Sequence, residues 1–153
     1  MFAGVFSVNI RQILYELGVH PSKERGQNFL HDGSVVQAIV DQAALRAEDH
    51  VVEIGPGLGA LTELLVDHSP PPASLHLIEI EDRFCRYLSG RYPGAQIVNE
   101  DVRGVDFHAF PKPLVVFGNL PYSLSTEIIF HILGSYQHIR KAIFLLQKEF
   151  AER

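Results

Sequence analysis

Asn119, Leu120, Pro121 and Tyr122 follow directly on the apolar run Leu114-Val115-Val116-Phe117-Gly118. That order sets a side-chain amide, a proline with its backbone carbonyls and an aromatic ring at the end of one strand. Together these groups suit a flat base that bears an exocyclic amine, with oxygen acceptors for its hydrogens and a ring to stack on its face. Proline cannot continue a sheet ladder and biases Leu120 away from helical geometry, so the chain turns out of the sheet and its carbonyls face a crevice. A plain strand-to-helix turn uses the same residue types. The motif therefore takes its weight from what lies upstream.

Upstream, Glu53-Ile54-Gly55-Pro56-Gly57-Leu58-Gly59-Ala60 joins an apolar run to a helical pattern. Gly55 and Gly57 allow a ligand to approach the backbone, and the helix start behind them offers free amide donors. Gly55, Gly57 and Ala60 also match the dinucleotide fingerprint, so this loop alone leaves a nicotinamide cofactor open. Glu79, at the end of the next apolar run, is placed to accept both hydroxyls of a ribose, as either cofactor class requires. Asp101, in Asn99-Glu100-Asp101-Val102 after a third run, is placed to accept a hydrogen bond from an adenine amine. That second acid favours an adenosyl group lying across three strand ends. Ile80 and Val102, each following its acid, are candidates for apolar contact with the two adenine faces. In Gly26-Gln27-Asn28-Phe29-Leu30, Gln27 and Asn28 are placed to present amides to the cofactor's amino-acid end, while Phe29 and Leu30 anchor the loop.

The elements that must position these groups are legible from hydrophobic pattern. Apolar, β-branched runs at His50 to Ile54, Leu75 to Ile80, Ala95 to Val98 and Leu114 to Phe117 alternate with helical stretches, and a fifth run covers Lys141 to Leu146. Near-continuous apolar strands alternating with helices predict an α/β fold: an open, doubly wound, mostly parallel sheet with helices on both faces. A short leading helix is expected after an Asn9/Gln12 capping box, ending at Gly18. Ser34 is expected to cap a second helix, Leu58 to Leu65 to form a third, Asp82 to Ser89 a fourth closed by Gly90, and Ser123 to Leu133 a fifth closed by Gly134. Ser69-Pro70-Pro71-Pro72 reads as a stiff loop. Residues 1–22 are expected to form a helical N-terminal extension and 23–153 one domain.

Composition bounds the function. The chain of 153 residues is 46% hydrophobic and 20% charged, which is globular composition. Its apolar stretches fall far short of the roughly 20 residues that span a bilayer, and its start lacks the pattern of a secretory signal. A soluble, cytoplasmic protein is expected, without membrane contact. The single Cys85 excludes an internal disulfide and a cysteine-rich metal site, and is expected to pack on a helix. His131 and His138 read as surface or helix-end residues, and no metal is expected. A net charge of −5 excludes nucleic-acid binding through a broad basic surface, so any such contact uses a local patch or a region outside these residues.

Taken in order, Gly26-Gln27-Asn28-Phe29-Leu30, Glu53-Ile54-Gly55-Pro56-Gly57, Ile78-Glu79, Glu100-Asp101, Phe117-Gly118-Asn119-Leu120-Pro121-Tyr122 and Leu146-Gln147-Lys148-Glu149 resemble the ribosomal RNA adenine dimethyltransferases. The resemblance runs from about Lys23 to the last residue, and is greatest to the branch acting on small-subunit rRNA. It implies a Rossmann-like class I methyltransferase fold with S-adenosyl-L-methionine as cofactor. It implies two adjacent adenines near the 3′ end of 16S-type RNA as acceptors, each methylated twice, and a 30S-type pre-ribosomal particle as partner. By the same resemblance Asn28 and Leu30 lie against the cofactor, Gly55 and Gly57 at its methionine portion, Glu79 on its ribose and Asp101 on its adenine amine. Asn119 lies between cofactor and substrate; Asn119 and a carbonyl around Leu120 and Pro121 accept from the target amine, and Tyr122 stacks on the flipped base.

The family continues past the fifth strand into further strands and a helical domain, so a truncated chain is expected, with an exposed sheet edge through which it could oligomerise. Three rival readings are separable. A methyltransferase with another substrate need not use Asn119. A nicotinamide enzyme explains neither Gln27 and Asn28 nor Asp101. A non-catalytic ribosome-assembly factor on this fold would survive loss of Asn119.

Overall fold

The computed structural model describes residues 10–20, 30 and 32–146. Its elements run α1 (Ile10–Glu16), α2 (Gly33–Ala43), β1 (His50–Ile54), α3 (Ala60–Val66), β2 (Ser74–Ile78), α4 (Asp82–Arg91), β3 (Gln96–Val98), β4 (Leu114–Asn119), α5 (Ser125–Leu133) and β5 (Ile139–Leu145). The five strands form one sheet in the order β3-β2-β1-β4-β5, and every pairing is parallel. The expected doubly wound sheet is therefore present. Strand order reverses between β1 and β4, whose register sets Ile54 beside Gly118; in such sheets this switch point is where the crevice opens.

Alternation along the strands divides the core in two. Val51, Leu75, Leu77, Val115 and Phe117 point to the face covered by α2, α3 and α4, where Leu14 and Val19 of the leading segment are also buried. Thus α1 packs into the same core as the elements after it. Val52, Ile54, Ile78, Leu114 and Val116 point to the other face, with Ile128 and Ile132 of α5. Full burial of a side chain such as Phe117, which has no exposed surface, stabilises the fold by roughly 1.5–3 kcal/mol.

Several boundaries differ from expectation, each for a local reason. Asp32, not Ser34, caps α2: its carboxylate accepts from the Ser34 N–H at 3.0 Å and the Ser34 hydroxyl at 2.7 Å. The α4 helix runs through Gly90 to Arg91, with Tyr92 as its C-cap, because a single glycine weakens a helix by only about 1 kcal/mol. Between β3 and β4 no α-helix forms; two 3₁₀ turns, Val102–Gly104 and Phe107–Ala109, cover that face instead. Gly104 and the prolines at 111 and 113 interrupt the helical period there, and Phe107 and Phe110 are buried in place of a helical stripe.

His131 and His138 take part in this packing. Each lies near a helix end as expected, but both are half-buried, and their Nε2–H groups donate to the carbonyls of Val105 and Phe110. They fasten the 3₁₀ segment to α5 and its following turn. At the opposite end of the sheet from the crevice, Asp49 is fully buried and takes the Arg140 Nε–H at 2.8 Å. Burial works to raise its pKa, but Arg140 and the Arg46 amide outweigh that and hold it below the ordinary range. This pair ties the start of β5 to the start of β1. Asn9 lies outside the described residues; Gly18, at φ +64°, ends the leading helical turn as expected.

Candidate active site

Gly55 and Gly57, Glu79, Asp101 and Asn119 each lie at or just past the carboxyl end of a strand. After β1 the chain enters the glycine turn with Gly55 at φ +65°, Gly57 at +58° and Gly59 at +88°, conformations that only glycine adopts without strain. The Gly55 N–H extends the ladder by donating to the Ile78 carbonyl at 2.9 Å. A Cβ on Gly55 would stand 3.6 Å from the Asn119 carbonyl oxygen. The glycine turn and the Asn119 turn are thus neighbours across the switch point, with only a side chain's breadth between their backbones.

Glu79 lies just past β2 and is 7% exposed. Its two oxygens accept the N–H groups of Gly57 at 3.3 Å and Glu81 at 3.0 Å. Burial raises its pKa, and these backbone donors offset part of that rise by favouring the carboxylate. The strand expected to reach Ile80 ends at Ile78, so Ile80 stands clear of the sheet and is 63% exposed. An aliphatic side chain that open beside a buried acid is available for apolar contact.

Asp101 caps the first 3₁₀ turn by accepting the Arg103 N–H at 2.9 Å. The Arg103 guanidinium also grips its carboxylate, with Nη2 2.7 Å from Oδ2, and holds its pKa below the usual carboxylate range. Val102 is 8% exposed and packs into the core face shared with α5. Leu30 is partly buried against the opposite core face. Gln27 and Asn28 lie outside the described residues.

At the end of β4, Asn119 is half-buried and Leu120 buried. The Pro121 carbonyl accepts from the Leu124 N–H at 3.1 Å and the Ser125 hydroxyl at 2.8 Å. These bonds close the turn and launch α5. Tyr122 begins that turn with its side chain outward, 40% exposed. A Cβ on Gly118 would fall 2.8 Å from the end of the Leu120 side chain, so Leu120, which is buried against this strand end, would have to shift to admit one.

Four further groups shape the site and drew no role from sequence. Glu53, in the glycine motif, is buried on β1 and takes the Thr62 hydroxyl at 2.7 Å. Burial pushes its pKa up to about 8, and nearby Glu79 pushes in the same direction. Its signal in sequence is an acid inside an otherwise apolar strand. Tyr92 donates its hydroxyl to the Gly59 carbonyl at 3.2 Å, and a Cβ on Gly59 would lie 2.7 Å from the Tyr92 ring. Arg103 also reaches Glu127 on α5 at 2.7 Å. Tyr92 and Glu127 are far from the motifs, and no local pattern marks them. Cys85 is buried on α4 as expected, its thiol near the Glu79 carbonyl and pushed up to about 11 by burial and the surrounding acids. Among the described residues, no group of three potential metal-binding side chains converges.

Gly59→Ala is expected to strain the loop twice, through its positive φ and through the Tyr92 ring, at roughly 1–3 kcal/mol. Thermal unfolding should show this loss, and Tyr92→Leu in the same chain should recover part of it by opening space. Recovery of all of it would mean that φ strain contributes nothing.

The comparisons agree with this geometry. The family of ribosomal RNA adenine dimethylases matches residues 20–153. A ribosomal RNA small subunit methyltransferase A from Hydrogenobaculum sp. (strain Y04AAS1) is 40% identical over 133 residues, covering 87% of this chain and 52% of the relative. Among solved structures, the 23S rRNA methyltransferase ErmE superposes with a TM-score of 0.73 at 30% identity, over 82% of this chain and 50% of that one. A dimethyladenosine transferase from Plasmodium falciparum gives 0.71 at 30% identity, over 82% and 46%. The chain spans about half the length of the relatives it matches. The strand order, the crevice and the match over nearly its whole length establish that the chain belongs to the ribosomal RNA adenine dimethylase family of methyltransferases, on a Rossmann-like class I fold.

Proposed function

We propose that these residues form the donor-binding and acceptor-gripping part of an enzyme that dimethylates two adjacent adenines near the 3′ end of small-subunit rRNA. Its methyl donor is S-adenosyl-L-methionine, and its setting is a pre-ribosomal particle in the cytoplasm. The observation that carries the reading is the approach of the glycine turn to the Asn119 turn, a Gly55 Cβ position 3.6 Å from the Asn119 carbonyl oxygen. Beside them, Glu79 and Asp101 lie at the next two strand ends.

The residues suit this donor. Glu79 is an acceptor held in place by backbone amides, with lone pairs left for ribose hydroxyls. Gly55 and Gly57 leave room for the methionine portion, Asp101 faces the adenine amine, and Ile80 and Val102 supply its apolar contacts. Gln27, Asn28 and Leu30 are assigned to the amino-acid end. When bound, the donor supplies an electrophilic methyl on a positively charged sulfur.

The acceptor amine is a weak nucleophile because its lone pair is delocalised into the purine. Asn119 and one backbone carbonyl overcome this by accepting the amine's hydrogens and turning the lone pair toward the donor. Because the Pro121 carbonyl already serves Leu124 and Ser125, the Leu120 carbonyl takes this role. Tyr122 stacks on the flipped base, offsetting an unstacking cost of a few kcal/mol. Fixed orientation of the reacting atoms can contribute roughly 7–11 kcal/mol without any strong base.

The test is transfer of tritiated methyl groups from S-adenosyl-L-methionine to unmethylated small ribosomal subunits, compared with subunits already dimethylated. Label is expected only in the former and in adenine. Incorporation into another base, or binding of the nicotinamide cofactor in preference to the sulfonium donor, would defeat the reading.

A further inference from the structure

Arg103 makes more contacts with site carboxylates than any stability argument requires. Its Nη2 lies 2.7 Å from Asp101 Oδ2, its Nε 3.1 Å from Oδ1, and its Nη1 2.7 Å from Glu127 Oε2. All three side chains are well exposed, at 41%, 38% and 62% for Arg103, Asp101 and Glu127. Exposed ion pairs contribute little to folding, so the value of this arrangement lies in where it points the carboxylate.

A lone aspartate on a loop samples several rotamers. Here the two-pronged guanidinium fixes the plane of the carboxylate, and the Arg103 backbone N–H, 2.9 Å from Oδ1, fixes its tilt. Three N–H groups then occupy the carboxylate, with Nε shared between Oδ1 at 3.1 Å and Oδ2 at 3.3 Å, which leaves about one of its four lone-pair sites for a further donor. Glu127 takes the far prong at 2.7 Å, which favours this orientation of the guanidinium. Since Glu127 belongs to the first turn of α5, this bridge also links the third strand end to the helix that follows the Asn119 turn.

We infer that Arg103 is a positioning residue for donor recognition, aiming the Asp101 carboxylate at the adenine amine and anchoring that aim on Glu127. The inference rests on the proposed reading in which Asp101 accepts from that amine. A carboxylate accepts and cannot donate, so an aimed Asp101 selects a 6-amino purine over a 6-oxo purine. Loss of aim reduces this selection without needing to remove the pocket.

Calorimetry with S-adenosylhomocysteine and S-inosylhomocysteine on the whole chain reads the selection as a ratio of dissociation constants. Arg103→Ala is expected to lower the ratio about three- to ten-fold, the effect of freeing one immobilised side chain. Arg103→Lys should do nearly the same, since it retains charge but not the planar fork. Glu127→Gln should lower the ratio by a smaller factor. Asp101→Ala should bring it close to one.

The failures are distinguishable. If Asp101→Ala leaves the preference intact, or the unaltered chain binds neither nucleoside, the proposed reading of the site is wrong and this inference falls with it. If Asp101→Ala abolishes the preference but Arg103→Ala keeps it, only the inference falls. Equal weakening of both ligands in Arg103→Ala, or full restoration by lysine, would equally overturn a positioning role.

Discussion

Asn119→Ala is expected to lower methyl transfer by two to three orders of magnitude while changing donor affinity less than about ten-fold. In the proposed reading its amide acts where charge rearranges, at the amine whose lone pair must be localised. Losing one preorganised hydrogen-bonding group at a reacting centre typically costs about 10²–10³ in rate. Asn119 is half-buried at the end of β4, beside the glycine turn, and the turn after it is closed by bonds to the Pro121 carbonyl, so truncation leaves the backbone turn in place. Single-turnover transfer to unmethylated small subunits separates the chemical step from binding. Transfer at the unaltered rate would show that Asn119 does not grip the acceptor, and would favour an assembly role or another substrate.

The second large effect concerns pH and stability. Inside the fold the Glu53 carboxyl is pushed up to about 8 from an ordinary value of 4.5, chiefly by burial. The native state therefore binds this proton more tightly than the unfolded chain does. The resulting stability is complete below about pH 4.5 and drains away as pH rises toward 8. Proton linkage over that span is worth roughly 3–4 kcal/mol. Glu53→Gln retains an oxygen for the Thr62 hydroxyl but has no proton to lose. Its unfolding free energy should fall much less between pH 5 and 9, and above pH 8 the variant should be the more stable protein by a few kcal/mol. Chemical denaturation across that range measures it. Parallel curves would show that Glu53 is ionised at ordinary cost. Glu79, whose pKa is also raised by burial, leaves a residual slope of the same sign in the variant.

Much of the architecture was legible because burial on both faces writes itself into strands as unbroken apolar runs. His50–Ile54 coincides with β1, and Leu114–Phe117 lies within β4. Gly55 and Gly57, read as points of close backbone approach, both adopt positive φ, and so does Gly59, which drew no reading of its own. Where several local solutions compete, pattern was a poorer guide. Asp32 displaced Ser34 as a cap because a carboxylate two residues earlier could satisfy both the amide and the hydroxyl of Ser34. The segment from Val102 to Phe110 buries aromatic rings from 3₁₀ turns, a packing that follows no fixed period.

By itself, the order of residues determined which strand end Gly55, Glu79, Asp101 and Asn119 each follow, because glycine, proline, amide and carboxylate impose local geometry wherever they fall. Tertiary structure alone decided which of them meet. Strand order sets β4 beside β1, bringing together Gly55 and Asn119 from distant parts of the chain. It also decided the charge of Glu53 and the partners of Arg103, for a carboxyl's proton affinity depends on how much water reaches it and a guanidinium's direction on the acids within its reach. Neither quantity exists until the chain has closed around them.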